Sequence, residues 1–510
     1  MTSSSPFHVV IVGGGSAGWL TAGLLAARFG SGTNGAYKFT LIESPDVPTI
    51  GVGEGTWPSM RNTLQQIGIR EGDFLRQCHA SFKQGSQFIG WRNGADDDRY
   101  YHPFTTPLGY GQLDLHAAWA RQSTQSFAEW LCPQVAVSEA GCAPKQLATP
   151  DYAGVTNYGY HLDAGQFSRM LEAHCTKVLG VDYLQDHVNG VRSHSNGDIA
   201  ALDCAQHGEL SGDLFIDCSG MTGLLIDQHY GVPWLSQKSV LFNDRAVAAQ
   251  VPYVQPDQDI VSTTLSTAQA AGWIWDIGLQ HRRGTGYTYS SNHCDQANAE
   301  ATLRDYLALP EDSEVSFRHL SFTPGYREQM WVNNCVAIGM SSGFIEPLEA
   351  SALAMVELSA TMLGDDMPRD HQHMKIVRER FNQRFRYRWE RVIEFLKLHY
   401  VLSQRTEPYW QQNRNPDTIP ERLQTLLSLW SYQPPNRHDF IQNEEVFPSA
   451  SYQYVLYGMG FTTQPAGDHI LQRQQSRIAD IVASNQQQTQ RLLGGLPSNR
   501  ALLDAIVAQA

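Results

Sequence analysis

The first fifty residues alternate between short apolar runs and a stretch with helical spacing. Residues 8–12 form a β-branched run, and the apolar residues of the following GGGSAGWLTAGLLAARFG recur at helical intervals as far as Leu25. Residues 37–43 (YKFTLIE) form a second strand-like run. The pattern predicts a strand, a helix and a strand within the length typical of a nucleotide-binding βαβ unit.

Further strand and turn signals occur at residues 208–223 and 335–339. We expect these segments to return to the same sheet, which makes the fold class α/β. Two excursions, at about residues 92–200 and 230–330, are rich in aromatic and turn residues. We expect them to form a second layer that covers a ligand.

The pattern changes to helix after about residue 370. One helical face carries Phe381, Phe385, Trp389, Ile393 and Leu396. The glutamine-rich tail keeps helical apolar spacing and predicts a surface helix. We therefore expect two domains in the 510 residues: 1–370, including both excursions, and a helical domain at 371–510 that completes a substrate pocket.

Composition excludes several classes of protein. The formal net charge of −14 argues against a nucleic-acid partner, because phosphate binding needs a basic surface. No basic segment precedes the first apolar run, and no apolar segment is long enough to cross a bilayer, so we expect neither an export signal nor a membrane span. The eight cysteines show no Cys-x-x-Cys pair and no zinc-like spacing, so we expect reduced thiols, no metal site and a cytoplasmic location.

A glycine motif lies between the first strand and the first helix. In the G-x-G-x-x-G pattern, Gly13 permits a tight turn, Gly15 lets the backbone approach a pyrophosphate, and Gly18 lets helix and strand pack closely. Glu43, at the end of the next strand, can accept hydrogen bonds from ribose hydroxyls. The alternative is a glycine-rich turn without a ligand, and the motif itself does not distinguish FAD from NAD.

Two later segments favour FAD. IDCSGMTG (residues 216–223) resembles the second strand-turn element of flavoproteins with the glutathione-reductase-type fold, and CVAIGMSSG resembles their late flavin-contacting element. The latter departs from the pattern, since Met340 stands where an acid is expected after Gly339. The expected cofactor-binding residues are Gly13, Gly15, Ser16, Ala17, Gly18, Glu43 and Gly339.

Three further stretches, SFKQGSQF, AGWIWDIG and GFIEPLEAS, complete a resemblance to the FAD-dependent halogenases of the tryptophan halogenase family. That family carries a lysine in a Phe-Lys context, a Trp-x-Trp-x-Ile-Pro motif and a Glu-Pro-Leu-Glu element entering a helix. Here Gly278 replaces the proline of the tryptophan motif. The resemblance implies a glutathione-reductase-type FAD-binding domain with insertions and a mostly helical C-terminal region.

The resemblance also implies a reaction. Reduced FAD, oxygen and bromide or chloride yield hypohalous acid, which travels to the substrate and is held by Lys83 as a hydrogen-bonded acid or a haloamine. Glu349 matches the carboxylate that polarises the oxidant and takes the ring proton. The halide would contact the amides of Ser351 and Ala352, where the usual Glu-Ser-Thr-Gly reads Glu-Ala-Ser-Ala. Three charged residues also have an interpretation without a catalytic role. Lys83 could be a surface lysine, and Glu346 and Glu349 could be solvated caps at a helix start.

The family pattern further implies residues along the oxidant and substrate path. Trp273 and Trp275 would separate substrate from flavin, although both could be core aromatics; alternation places them on one face of a strand. His102 could line the substrate pocket or be a core histidine whose hydrogen bonds are satisfied. The expected path residues are Trp273, Trp275, His102, Phe104, Glu346 and Tyr452.

Two rival functions remain open in the sequence. An aromatic monooxygenase would share the FAD domain, but such enzymes carry an Asp-Gly element for NAD(P)H, and this chain has no Asp-Gly dipeptide. We therefore expect a separate flavin reductase. A non-catalytic flavoprotein would have no need of Lys83 or Glu349. Gln453 stands where free-tryptophan enzymes have a second tyrosine, so we expect a simpler indole or a larger indole-bearing or phenolic substrate instead of free tryptophan. The family resemblance is also compatible with a homodimer.

Overall fold

The computed structural model describes residues 6–32, 36–47, 53–310, 312–368, 370–442, 445–464 and 468–509, with the side chains of residues 468–470 excepted. Residues 1–5, on which the expectation about an export signal partly rests, lie outside the described residues. Among the helices that the structure describes, none is long and apolar enough to cross a bilayer.

The strands, in chain order, are β1 (Phe7–Val12), β2 (Tyr37–Glu43), β3 (Glu54–Gly55), β4 (Ser81–Lys83), β5 (Gly85–Ile89), β6 (Arg99–Pro103), β7 (Gly159–Leu162), β8 (Asp182–Gln185), β9 (Val188–Ser193), β10 (Ile199–Cys204), β11 (Gly208–Ser211), β12 (Leu214–Asp217), β13 (Trp234–Ser236), β14 (Arg245–Pro252), β15 (Thr264–Gln269), β16 (Gly272–Gly278), β17 (Arg282–Tyr289), β18 (Phe317–Ser321), β19 (Gly325–Arg327), β20 (Trp331–Val332), β21 (Cys335–Ala337) and β22 (Gly343–Phe344).

The α-helices are α1 (Ser16–Phe29), α2 (Ser59–Ile67), α3 (Glu71–Gln77), α4 (Leu115–Gln122), α5 (Phe127–Leu131), α6 (Pro133–Glu139), α7 (Ala164–Lys177), α8 (Gln296–Tyr306), α9 (Ser351–Asp365), α10 (His371–Val401), α11 (Pro408–Asn413), α12 (Glu421–Trp430), α13 (Ser449–Gly458), α14 (Asp468–Gly495) and α15 (Asn499–Ala508).

Contacts divide the chain into two compact units. Unit 1 comprises residues 1–80, 162–237 and 323–389, and unit 2 comprises residues 81–161, 238–322 and 390–510. The division does not coincide with the expected boundary at residue 370, because α10 contributes to both units. The two expected domains stay a prediction, since units defined by contacts need not be domains that fold separately.

Unit 1 is built on a six-stranded sheet in the order β20-β21-β12-β1-β2-β8. The strands from β21 to β8 run parallel, and β20 is antiparallel to β21. The prediction that segments within residues 208–223 and 335–339 return to the sheet of the first βαβ unit is confirmed for β12 and β21, because β12 pairs with β1 and β21 pairs with β12. Residues 208–211 form β11, which belongs to a separate sheet. Val9, Val10 and Ile11 of β1 are fully buried, as expected of a central parallel strand. Helix α1 packs against α7 and α9.

Unit 2 is built on a seven-stranded mixed sheet in the order β18-β14-β17-β16-β15-β5-β6. Its strand β16 is buried along its whole length. Strand β4 pairs with β7 in antiparallel register, with Ser81 opposite His161. The unit therefore combines a sheet drawn from both aromatic-rich excursions with the helices that follow α10.

The helical C-terminal prediction is confirmed. Helix α10 extends from His371 to Val401, and the five apolar residues assigned to one face are all buried. Helix α14, the glutamine-rich segment, exposes most of its residues, as predicted for a surface helix. Together with the parallel sheet of unit 1, these helices make the fold mixed α/β.

Candidate functional site

The glycine turn, residues 13–15, connects β1 to α1 in unit 1. Gly13 has a φ of +113°, and a Cβ there would lie 2.3 Å from the carbonyl oxygen of Cys218. A Cβ at Gly18 would lie 1.8 Å from the carbonyl oxygen of Gly13. A Cβ at Gly15 would meet nothing within 4 Å. Gly13 and Gly18 are thus required for chain packing, whereas Gly15 leaves open space at the start of α1.

Glu43 lies directly beside the glycine turn. A Cβ at Gly14 would lie 2.2 Å from the Glu43 carboxyl carbon, and the Tyr183 hydroxyl donates to Glu43 Oε2 at 3.0 Å. Burial raises the pKa of Glu43, and the Tyr183 hydrogen bond opposes that rise. The expected carboxylate is therefore brought to the expected turn. Sequence reasoning missed Gly14, because it occupies a position of the motif where any residue is allowed. It also missed Tyr183, because that residue comes from β8.

The remaining expected cofactor residues gather at the same helix start. Ser16 and Ala17 form the first turn of α1, and the Ser16 hydroxyl lies 3.2 Å from that of Ser168. Gly339 has a φ of +78°, and a Cβ there would lie 2.7 Å from the Cβ of Ala17. The late element, residues 335–339, thus reaches the start of α1 even without the expected acid after Gly339.

Glu346 and Glu349 are both buried, at 2% and 7% exposure, so their interpretation as solvated caps is wrong. The helix also starts later than the sequence suggested. A short 3-10 turn, residues 348–350, follows Pro347, and α9 begins at Ser351. The reason is the backbone of two consecutive residues, which we call the left-handed turn: Glu349 has a φ of +61° and Ala350 a φ of +54°.

The amides of Ser351 and Ala352 belong to the first turn of α9. The first N–H groups of a helix have no partner within it, and Ala350 as N-cap supplies no side-chain hydrogen bond. An anion is the kind of ligand that such a helix end favours. Ser351 itself is buried, at 3% exposure.

In unit 2, Lys83 ends β4 and is 1% exposed, so its interpretation as a surface lysine is wrong. Its Nζ lies 5.4 Å from the centre of the Phe104 ring, which brings two predicted residues together. His161, opposite Ser81 on β7, shares a face of this pair of strands with Lys83. Burial and then the Lys83 charge hold the pKa of His161 well below its ordinary value, so the imidazole beside Lys83 is neutral.

Trp273 and Trp275 both lie on β16, with 1% and 7% exposure. Their ring centres are 6.4 Å apart in an edge-to-face arrangement, which agrees with the predicted common face. A Cβ at Gly286 would lie 2.1 Å from the Trp275 ring, so the neighbouring strand carries a glycine where the indole needs space. Both indoles are therefore core aromatics, and their role in separating substrate from flavin stays a prediction.

His102 and Tyr452 lie in one aromatic cluster of unit 2, in which both rings approach Phe395. Their ring centres lie 5.8 Å and 4.8 Å from that of Phe395. His102 Nε2 lies 2.9 Å from the Ser451 hydroxyl. Tyr452 is 1% exposed, and burial raises its pKa above the ordinary tyrosine value. Sequence reasoning found two members of the cluster and missed Phe395, which comes from α10.

The predicted residues therefore fall into two groups. Unit 1 holds the cofactor residues, Glu346, Glu349, Ser351 and Ala352; unit 2 holds Lys83, His102, Phe104, Trp273, Trp275 and Tyr452. The two expected catalytic residues, Lys83 and Glu349, thus belong to different units, and their catalytic roles stay a prediction.

Comparison with known proteins decides the family. The family model for tryptophan halogenase matches residues 8–475. The chain belongs to the tryptophan halogenase family. The halogenase is 33% identical to tryptophan 6-halogenase SttH of Streptomyces toxytricini, over 90% of each chain. It is 31% identical to tryptophan 7-halogenase RebH of Lentzea aerocolonigenes, over 96% of this chain and 97% of that protein.

Solved structures agree with this assignment. A tryptophan halogenase from Shewanella frigidimarina NCIMB 400 is 49% identical and superposes with a TM-score of 0.96, covering 100% of the halogenase and 99% of that chain. BrvH, a flavin-dependent halogenase from Brevundimonas sp. BAL3, is 30% identical with a TM-score of 0.87, covering 98% and 99%. The protein is thus a FADH2-dependent halogenase, an oxidoreductase that needs a flavin and a halide ion.

The start of α1 fits the FAD that this chemistry needs. Gly15 leaves the space that a pyrophosphate requires, and the free N–H groups of the helix end favour its negative charge. The Glu43 carboxylate, held by Tyr183, suits a ribose hydroxyl. These three features together fit a dinucleotide: open space for the pyrophosphate, helix N–H groups that donate to it, and a carboxylate that accepts from a ribose hydroxyl.

Proposed function

We propose that the halogenase acts on an electron-rich aromatic compound of the indole type other than free tryptophan, with bromide or chloride as the halogen source. FAD would bind at the start of α1 in a glutathione-reductase-type domain. A separate flavin reductase would supply its reduced form, since the chain has no Asp-Gly element for NAD(P)H. The observation that carries the proposal is the burial of Lys83, which has the family's Phe-Lys context.

The residues of unit 2 would hold the oxidant. Bound reduced FAD supplies the electrons with which oxygen and halide form hypohalous acid. The Lys83 amine would donate a hydrogen bond to that acid, or replace its hydroxyl to form a haloamine and water. The neutral imidazole of His161 and the Phe104 ring both lie near Lys83 and carry no charge of their own. A buried amine would thus retain an oxidant that would otherwise diffuse away or oxidise other side chains.

The residues of unit 1 would supply the halide site and a base. The amides of Ser351 and Ala352 would hold the halide at the start of α9. When the aromatic ring takes the halogen as a cation equivalent, the ring carbon becomes tetrahedral and must lose a proton. The buried Glu349 carboxylate would accept that proton and restore the aromatic ring.

The substrate proposal rests on Gln453. This residue stands where a second tyrosine is expected in free-tryptophan enzymes, and its side-chain amide donates to the Pro435 carbonyl at 2.8 Å. Gln453 is 8% exposed, and this hydrogen bond would commit its amide to the packing of unit 2. Free tryptophan is the second candidate, because relatives with 31–33% identity are named tryptophan halogenases.

A reconstituted reaction tests the proposal. Purified protein, FAD, an unrelated flavin reductase, NADH, oxygen and bromide are supplied with indole or L-tryptophan, and products are identified by mass spectrometry. We expect the bromine isotope doublet of a monobrominated indole. The kcat/KM for indole should exceed the kcat/KM for L-tryptophan. A preference for tryptophan would establish the second candidate, and hydroxylated product without bromine would establish a monooxygenase instead.

Matched lysine variants test the residue assignment. Lys83→Met keeps the aliphatic stem and should lower bromination at least about a hundredfold, as loss of a catalytic acid or base group does. Lys145→Met is the control, because Lys145 is also buried, at 3% exposure, and donates to the Pro150 carbonyl at 2.8 Å. Equal activity of the Lys83→Met variant and the wild type would contradict the role of Lys83.

A further inference from the structure

The left-handed turn, Glu349 and Ala350, adopts a backbone that these residue types disfavour. In the left-handed region the Cβ approaches the carbonyl oxygen, and glycine is the residue that avoids this contact. Two consecutive non-glycine residues with φ values of +61° and +54° therefore need support from outside the turn.

The indole of Trp57 provides that support. Its Nε1 donates a hydrogen bond of 2.7 Å to the carbonyl oxygen of Glu349. This oxygen belongs to the peptide between Glu349 and Ala350, whose plane is set by ψ of the first residue and φ of the second. A donor that holds the oxygen therefore restricts rotation of this peptide, and with it ψ of Glu349 and φ of Ala350.

The segment that carries Trp57 is anchored to α9 at a second place. On α2, the Ser59 hydroxyl donates to Glu357 Oε2 at 3.0 Å, and the Thr63 hydroxyl donates to Glu357 Oε1 at 2.5 Å. Glu357 lies in the second turn of α9 and is 3% exposed. The indole thus approaches the turn from an element already tied to the helix that the turn begins.

We propose that Trp57 is a positioning residue that holds the left-handed turn. The orientation of the Glu349 carboxylate and of the Ser351 amide both follow from this turn, because the turn determines how the chain enters α9. The consequence for catalysis rests on the proposed function, in which these two groups accept the ring proton and bind the halide. The hydrogen bond itself is a property of the fold and can be tested without turnover.

The test is a double-mutant cycle between Trp57→Phe and Ala350→Gly. The first variant removes the N–H and keeps an aromatic ring, and the second lets the turn form without strain. In bromination with the holoenzyme and flavin reductase, Trp57→Phe should raise KM for bromide about fivefold, the loss expected for one ordinary hydrogen bond. Ala350→Gly should restore KM in the Trp57→Phe background and leave it unchanged in the wild type.

Trp331→Phe is the matched control. Trp331 is fully buried and its Nε1 donates at 3.0 Å to the carbonyl of Asn333, which also has a left-handed backbone, with a φ of +49°. Asn333 has no place in the proposed reaction. The variant should therefore lose stability as Trp57→Phe does while its KM for bromide stays that of the wild type.

Denaturant unfolding of the FAD-loaded protein supplies the readout without turnover. The two substitutions should be non-additive, with Ala350→Gly more stabilising when Trp57 is phenylalanine. Additive unfolding midpoints, or an unchanged bromide KM in an active Trp57→Phe enzyme, would overturn the proposal. If Trp57→Phe does not fold, a benzothiophene analogue of the indole, which lacks the N–H and keeps the shape, replaces it in the cycle.

A wild-type protein that halogenates nothing would refute the proposed function, while the unfolding cycle would still decide whether Trp57 holds the turn.

Discussion

The helices α1 and α9 of unit 1 start in opposite ways, although the proposed function gives both an anionic ligand. Neither start has a side-chain N-cap hydrogen bond, and neither has an acidic residue in its first turn. The α1 start follows the glycine turn, where Gly13 adopts a φ of +113°. The α9 start follows the left-handed turn of Glu349 and Ala350, which have no such freedom.

The difference shows two ways of exposing helix N–H groups. At the start of α1, glycines expose the helix N–H groups because their backbone can adopt the required turn locally. The open space at Gly15 leaves room for a large ligand. The second start depends on contacts from elsewhere, such as the hydrogen bond from Trp57. It carries side chains through the turn, and the buried Glu349 carboxyl is one of them.

The largest expected effect on stability distinguishes Gly18, which chain packing requires, from Gly15, which leaves space for FAD at the start of α1. A Cβ in Gly18→Ala would overlap the Gly13 carbonyl at 1.8 Å, so we expect a loss of ~3 kcal/mol or more in unfolding free energy. Gly15→Ala should unfold like the wild type but bind FAD at least about tenfold more weakly, or ~1.4 kcal/mol. Denaturant unfolding and FAD titration measure the two effects. Similar stability losses in both variants would remove the distinction.

The next effect concerns the side chain at the start of α9. Glu349→Gln keeps the size of the buried side chain and removes its charge, so bromination should fall about a hundredfold or more. FAD affinity should not change, because the glycine turn is untouched. Single-turnover kinetics with reduced flavin measure the first quantity, and fluorescence titration the second. An active Glu349→Gln enzyme would show that the left-handed turn serves the backbone alone.

The pH dependence of stability should come mainly from the acid on α9. Burial raises the pKa of Glu357, in the second turn of α9, to about 7. The pKa of Glu43 beside the start of α1 is also raised by burial, and the comparison with Glu357→Gln isolates the contribution of Glu357. The folded protein therefore retains a proton that the unfolded chain releases near pH ~4.3, and this stability is lost as pH rises from ~4.3 to about 7. Relative to Glu357→Gln, the wild type should lose roughly 3 kcal/mol over that range. Parallel unfolding curves of the two proteins against pH would contradict the assignment.

The smallest expected effect is a gain in stability. Ala350→Gly relieves the left-handed strain but gives the unfolded chain more freedom, so the net stabilisation should be below ~1 kcal/mol. The reverse change in the glycine turn, Gly13→Ala, should destabilise, because its Cβ would lie 2.3 Å from the Cys218 carbonyl oxygen. Thermal unfolding of both variants shows the contrast in sign. A less stable Ala350→Gly protein would mean that the left-handed turn carries no strain.

The α1 region could be predicted from its residues because each signal is local. A β-branched run, glycines at fixed spacing and a helical apolar pattern lie within residues 8–43, and the structure has β1, α1 and β2 there. The return of β12 and β21 to the same sheet followed from similar short signals. The helical face of α10 was also visible, since its period of apolar residues is a property of the helix alone.

The environment of the catalytic candidates was decided by tertiary structure. Lys83 and Glu349 look like surface residues in isolation, and only packing shows that they are buried. Tyr183 beside Glu43, His161 beside Lys83 and Trp57 beside Glu349 come from distant segments, so no local pattern could reveal them. Sequence by itself determined the backbone elements and the glycine turn, because these depend on neighbouring residues. The tertiary structure alone decided burial, ionisation and the left-handed turn, because each depends on atoms that are remote in the chain.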